Sequence, residues 1–166
     1  MRYAFLYIFT VVLVNFAFDK VPLLTLPGGE LWSPVSLVVG FIFVIRDYAQ
    51  RDIGHYVIPA MLLGGIISWF MASPTVALAS VCAFLISEFV DWAVYTITGR
   101  PFSQRILFSS ALSTPLDSIV FLSMIGIFSV PSVIIMTLSK MIGSAIVFFI
   151  VRRRELYMAQ TYANFK

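Results

Sequence analysis

The sequence predicts an all-α integral membrane protein: six transmembrane helices in one bundle, both termini cytoplasmic, with residues 1–166 forming a single domain. Three observations predict it. The chain is 60% hydrophobic and only 11% charged, with a mean hydropathy of +0.98, whereas a soluble domain carries about 25% charged residues. That is too little polar side chain to cover a water-soluble globule. Six apolar stretches of near-spanning length alternate with short polar breaks. The basic residues collect in every second break, as the positive-inside rule requires.

A spanning helix needs about 20 mostly apolar residues. The first candidate covers residues 3–18. Arg2 precedes it as in a signal peptide, but no small-x-small site follows and the chain continues "NFAFDKVP", so it is read as a retained span. The second covers 31–47, with room for the helix to continue, and the third covers 56–71. The fourth covers 74–98, the fifth 106–128 and the sixth 131–151. The breaks "TLPGGELWSP", "MASPT", "GRPFSQR" and "SVP" hold the Pro, Gly and Ser that interrupt helices. The last is so short that the fifth and sixth spans are expected to form a tight antiparallel hairpin. With both ends inside, Arg2, Arg46, Arg51, Arg100, Arg105, Arg152, Arg153, Arg154 and Lys166 are cytoplasmic, nine of the eleven basic residues. Lys20 falls outside and Lys140 within a span. The net charge of +3 then reflects topology and contact with the anionic inner leaflet, not nucleic acid.

One cysteine, Cys82, precludes an internal disulfide, and the lone His55 lies in a charged loop, so neither a metal site nor a cofactor is expected. No nucleophile–base pair or phosphate loop stands out, so an enzyme is not expected. The chemistry lies in the spans. Glu88, Asp91, Asp117 and Lys140 fall near mid-span, and Asn15 lies deep in the first span toward its outer end. Each charge at mid-bilayer costs about 2.5–3.5 kcal/mol on insertion scales, and those that persist usually face a bundle interior. Phe84, Glu88, Asp91 and Tyr95 are spaced i, i+4, i+7, i+11, which puts them on one helix face. Ser110, Thr114, Asp117 and Phe121 repeat the spacing, and D-x-x-V-[YF] recurs at Asp91 and Asp117. Pro115 removes a backbone hydrogen bond, and Ser109, Ser110, Ser113 and Thr114 stand ready to satisfy the freed carbonyls.

Each of these features has a plainer explanation too. Lys140 is either a structural ion-pair partner or a ligand contact, and the aromatic stripe either packs the core or stacks on a ligand. Three acids face one lysine, so an acid is protonated, a cation enters, or Arg46 swings in. In "FVIRDYAQRDIGHY", Arg46, Asp47 and Gln50, with Arg51 and Asp52, form either a solvated helix end or a cytoplasmic gate. Gly64, Gly65, Gly143, Ser144 and Ala145 suit close helix contacts. Carboxylates, an amide, a lysine and aromatic faces suit a small planar ligand rich in N–H donors, such as a guanine-like base. Asn15 or Lys140 would donate to its carbonyl. Trp92, Tyr95 or Phe121 would stack on the ring, a contact worth about 1–3 kcal/mol. A cationic amine or a vitamin fits the same groups.

The "N" of "VNFAFDK", the segment "RDYAQRDIGH", and the tandem "SEFVDWAVYTITG" and "STPLDSIVFLSMIG" resemble the VUT family of YhhQ-type queuosine precursor transporters. The resemblance runs from about Asn15 to Gly143, and the tandem Asp motifs are its most specific part. It implies a multi-pass inner-membrane protein that imports 7-deazaguanine bases such as 7-cyano-7-deazaguanine. It also marks Asn15, Asp47, Glu88, Asp91 and Asp117 as site candidates. Many relatives carry an acid four positions after Asp47, where this chain has Arg51. The full expected substrate-binding set is Asn15, Glu88, Asp91, Tyr95, Asp117, Phe121 and Lys140, with Arg46, Asp47 and Gln50 as a gate. The expected partners are a deazapurine and the lipid bilayer, with one acid carrying a coupled proton; homo-oligomerisation, the energy source and the exact base stay open. The alternatives are a substrate-binding subunit of an energy-coupling-factor vitamin transporter, and a structural or assembly membrane protein.

Overall fold

A chain with this composition has to satisfy its backbone polar groups internally wherever it meets hydrocarbon, and the helix is the simplest way to do so. In the computed structural model, which describes residues 2–71 and 74–164, 84% of the chain is helical. The elements in order are α1 (Arg2–Lys20), a hairpin of β1 (Leu24–Thr25) and β2 (Leu31–Trp32), α2 (Ser36–Ile53), a 3-10 turn (Gly54–Tyr56), α3 (Val57–Met71), α4 (Pro74–Ile97), α5 (Phe102–Met124) and α6 (Val130–Asn164). The break expected around Ala72 and Ser73, and Lys166 of the basic set, lie outside the described residues. Five helical stretches are long and apolar enough to cross a membrane, α2 and α3 counting together as one run from Ser36 to Phe70. The fold is thus that of an all-α membrane protein.

Within that run the chain reverses. Gly54 sits at φ 59°, ψ −136°, a conformation that a residue with a Cβ strongly disfavours. Tyr3 at the start of α1 stacks on Tyr48 near the end of α2 at 5.3 Å, while Val14 packs with Val35 at the other end. α2 therefore runs antiparallel to α1. Gly64 packs against Val11, and the Asn15 amide donates to Ser68, so α3 runs parallel to α1. α4 and α5 are antiparallel, with Ser87 beside Asp117 and Asp91 beside Ser113. α2 and α6 meet backbone to backbone. A Cβ on Gly40 would collide with the Lys140 carbonyl, and one on Gly143 would stand 2.9 Å from the Gly40 carbonyl carbon. This is the small-residue contact expected at Gly143.

The side chains are sorted as in a membrane protein. Phe5, Phe9, Phe70 and Phe149 are exposed on the outside, while Ser109, Ser110, Ser113 and Ser118 are fully buried. Arg2, Arg51, Arg100, Arg105 and Arg152–Arg154 gather at one end of the bundle, where Tyr48 and Arg51 pack on Phe102 and Glu155 accepts from the Ser103 N–H and hydroxyl. Lys20 lies at the opposite end of α1.

Several expected boundaries move. Residues 31–35 precede α2 and belong to the hairpin end of the molecule, because Trp32 donates to Ser139 and Glu30 accepts from Ser129 and Ser132. α5 stops at Met124, where Gly126 turns the chain at φ 76°. α6 passes through Arg152–Arg154 to Asn164, so its polar end is helix. α5 also continues through Pro115 from Phe102 to Met124.

Candidate functional site

Arg46 sits two turns before the end of α2, on the face turned to α4. Its guanidinium reaches Asp47 at 3.3 Å and Glu88 at 3.4 Å, and makes its closest ion pair with Asp91. It also donates to Gln50, whose amide nitrogen donates to the Thr96 hydroxyl at 2.9 Å. The carboxylates have further donors. Tyr7 on α1 donates to Glu88 at 2.7 Å, and from α5 Ser109 donates to Asp47 at 3.3 Å and Ser113 to Asp91 at 3.4 Å. The Tyr95 ring lies 5.8 Å from the Arg46 guanidinium and 5.3 Å from that of Arg105.

This changes the account of "FVIRDYAQRDIGHY". Arg46 is 1% exposed and Asp47 fully buried, so they lie in one cluster with Glu88 and Asp91, while Arg51 and Asp52 stay exposed. Arg46 accordingly leaves the flanking basic set in which it was counted. Three buried carboxylates draw in the long cationic side chain of Arg46, since a charge taken out of water needs a close counter-charge.

A second ionic group lies between α5 and α6. Lys140, fully buried, donates to Asp117 at 2.5 Å and to Ser118 at 2.9 Å, and Ser87 donates to the other Asp117 oxygen at 3.1 Å. Lys140 is therefore an ion-pair partner in this conformation. Asp91 and Asp117 do not meet. Their α4–α5 partners place them about one turn apart along the bundle, roughly 6 Å.

Toward the hairpin end, Asp117 borders a small cavity with Asn15, Ser80, Phe18, Phe84 and Phe121. The Asn15 amide donates to Ser68 at 3.1 Å and to the Val11 carbonyl at 3.0 Å, and the Ser80 hydroxyl donates to its oxygen. Phe18 and Phe121 lie 5.1 Å apart and form one wall. The cavity holds about 30 Å³, space for about two waters, against the roughly 300–1,000 Å³ of a small-molecule pocket. A planar ring therefore enters only if helices separate.

The expected residues thus divide. Asn15, Asp117 and Phe121 line the cavity; Glu88, Asp91, Tyr95, Asp47 and Gln50 gather around Arg46; Lys140 stands behind Asp117. Trp92 is elsewhere, donating to His55 at 3.2 Å near the 3-10 turn. Tyr7, Ser80 and Phe18 went unremarked in the sequence. The spacing Tyr7, Val11, Val14, Asn15 marks a buried stripe that would have found Tyr7. Nothing local flags Ser80 or Phe18.

Among the described residues, four buried carboxylates (Asp47, Glu88, Asp91, Asp117) face two buried cations (Arg46, Lys140), a formal surplus of two negative charges. Among the described residues, no three His, Cys, Asp or Glu side chains are grouped so as to hold a metal ion. The arrangement offers carboxylate acceptors to N–H donors, a lysine held by Asp117 and Ser118, and aromatic walls. Comparison with protein-family models, curated proteins and solved structures found no match for this chain.

Proposed function

We propose that this chain is a six-span inner-membrane transporter with both termini cytoplasmic, importing a queuosine precursor, a 7-deazaguanine base bound near mid-membrane. The observation that carries this reading is the cavity where Asp117 and Asn15 meet three phenylalanine rings, backed by buried carboxylates in excess of their cations. A carboxylate accepts two adjacent N–H groups in parallel, which suits the N1–H and 2-amino edge of such a base. Lys140, which donates to Asp117 and Ser118, would pass from Asp117 to the ligand carbonyl when the helices separate. Phe18, Phe84 and Phe121 supply stacking faces. The reversal at Gly54 supports counting α2 and α3 as separate crossings, and the single basic end supports the orientation.

Complementation tests this directly. Cells unable to make queuosine or to take up its precursor should regain queuosine in tRNA when this chain is expressed without coupling subunits. Asp91→Asn and Asp117→Asn should each abolish that uptake while still inserting in the membrane; normal uptake by both would sink the assignment. A purely structural role is favoured by one observation, the closed Lys140–Asp117 pair beside so small a cavity. Thermal stabilisation of the purified protein by a deazapurine separates the two, because a structural bundle gains nothing from the base.

A further inference from the structure

Among the described residues, Arg46 is the only cation within salt-bridge distance of Asp47, Glu88 and Asp91. If all three acids were ionised, the cluster would carry two negative charges beyond Arg46 in apolar surroundings. A buried carboxylate without a counter-charge takes up a proton instead, because desolvation costs the ion far more than the acid. The groups that face Glu88 offer no other relief. They are Tyr7 from α1, Arg46 and Asp47 from α2, Asp91 from its own helix and, within electrostatic reach on α5, Asp117, with the α5 hydroxyls Ser109 and Ser113 on the neighbouring acids. Lys140 is already matched by Asp117.

The three acids are not equivalent. Asp91 has the closest contact with Arg46 and a hydroxyl from Ser113; Asp47 has Arg46 and Ser109. Their oxygens that lack a hydrogen bond, Asp91 Oδ2 and Asp47 Oδ1, are the ones facing the guanidinium. Glu88 differs. Its Oε2 takes the Tyr7 hydroxyl and the longest of the Arg46 contacts, while Oε1 is buried with no hydrogen-bond partner, on a residue only 1% exposed.

We propose that Glu88 is a proton-binding site, neutral in this conformation at physiological pH, with Oε1 carrying the proton. The proton comes from water and returns to water, and no other bond changes. While Glu88 is neutral, Arg46 stays with Asp47 and Asp91. When Glu88 loses the proton, it competes for Arg46 and pulls the guanidinium along α4. The coupling of this exchange to uptake rests on the transport reading; the bound proton does not.

Infrared spectroscopy of the full chain in lipid nanodiscs, without substrate, tests the proton alone. At neutral pH the protein should show a protonated-carboxyl carbonyl band that shifts in heavy water. Carbon-13 labelling of glutamate should move it, and Glu30, Glu88 and Glu155 are the glutamates of the chain. Glu88→Gln should remove the labelled band completely. No protonated-carboxyl band at neutral pH, a band indifferent to glutamate labelling, or a labelled band that survives in Glu88→Gln would each overturn the proposal. If Glu88→Gln fails to fold, Glu30→Gln and Glu155→Gln keep the test: the labelled band should survive in both, and its loss in either would overturn the proposal. A chain that takes up no base can still show the band, so failure of transport and failure of this site are distinguishable.

Discussion

Asp117 and Lys140 balance each other in a place largely closed to water. Asp117→Asn should therefore cost about 3–5 kcal/mol, because Lys140 is left buried and uncompensated. Adding Lys140→Met should return most of that loss, as a thermal-unfolding double-mutant cycle in detergent would show. Simple additivity of the two losses would mean that the pair does not interact. Glu88 offers a second comparison. Glu88→Ala strands the Tyr7 hydroxyl, which loses its acceptor, at about 1–3 kcal/mol for such a buried group, and removes the Glu88 ion pair with Arg46. Glu88→Gln keeps an oxygen there and should be the milder change by the same measurement. The acids at 88, 91 and 117 were legible as interior groups from helical spacing alone, as was an excess of acid over Lys140 that a proton, an entering cation or Arg46 had to relieve. Their partners were not, because Arg46 reaches Asp91 across 45 residues of sequence, and spacing speaks only of neighbours on one helix.

α2 and α6 touch through backbone because Gly40 and Gly143 have no side chains. Gly40→Val should prevent that approach and lower the unfolding temperature strongly, whereas Gly28→Ala, with nothing within 4 Å, should leave it nearly unchanged. The β1–β2 hairpin is held to the far end of the bundle by Glu30, whose carboxyl lies below the usual glutamate range because Ser129 and then Ser132 donate to it. A carboxyl depressed in the folded state stabilises above its unfolded value and loses that contribution as pH falls through the folded one. Acid below the usual glutamate range should therefore loosen the hairpin. Trp32 fluorescence, with Trp69 and Trp92 replaced by Phe, should report this transition, and Glu30→Gln should abolish it. An unchanged acid transition in Glu30→Gln would assign it to another group. Most helix ends were legible to within a few residues, but α2 and α6 run on past the expected 47 and 151 to Ile53 and Asn164, and residues 31–35 were assigned to a span. "LWSPV" is apolar enough for that, and only the contacts of Trp32 and Glu30 with α6 and the segment before it set it apart.

For the whole molecule, the distribution of arginine is the strongest constraint on how it lies in a bilayer. Cys82 is the natural cysteine, so a Cys82→Ser background makes single-cysteine labelling unambiguous. Gly28→Cys in the hairpin loop and Tyr157→Cys on the far part of α6 should react with impermeant reagents from opposite faces, and Tyr157→Cys only from the cytoplasmic side. Labelling of both from one face would remove the six-crossing topology, leaving the five long apolar stretches to be threaded differently.

The sequence by itself determined the solvent, the helices and the places where charge would be buried, because hydropathy, breakers and helical period are local quantities. Only the tertiary structure decided how those charges are shared. It drew Arg46 away from the flanking basic set and into the company of Asp47, Glu88 and Asp91, gave Lys140 to Asp117, and left Asn15 and Asp117 on a cavity apart from the other acids. The reason is that a buried charge is governed by what lies within a few ångströms of it in space, and in a bundle those neighbours come from other helices.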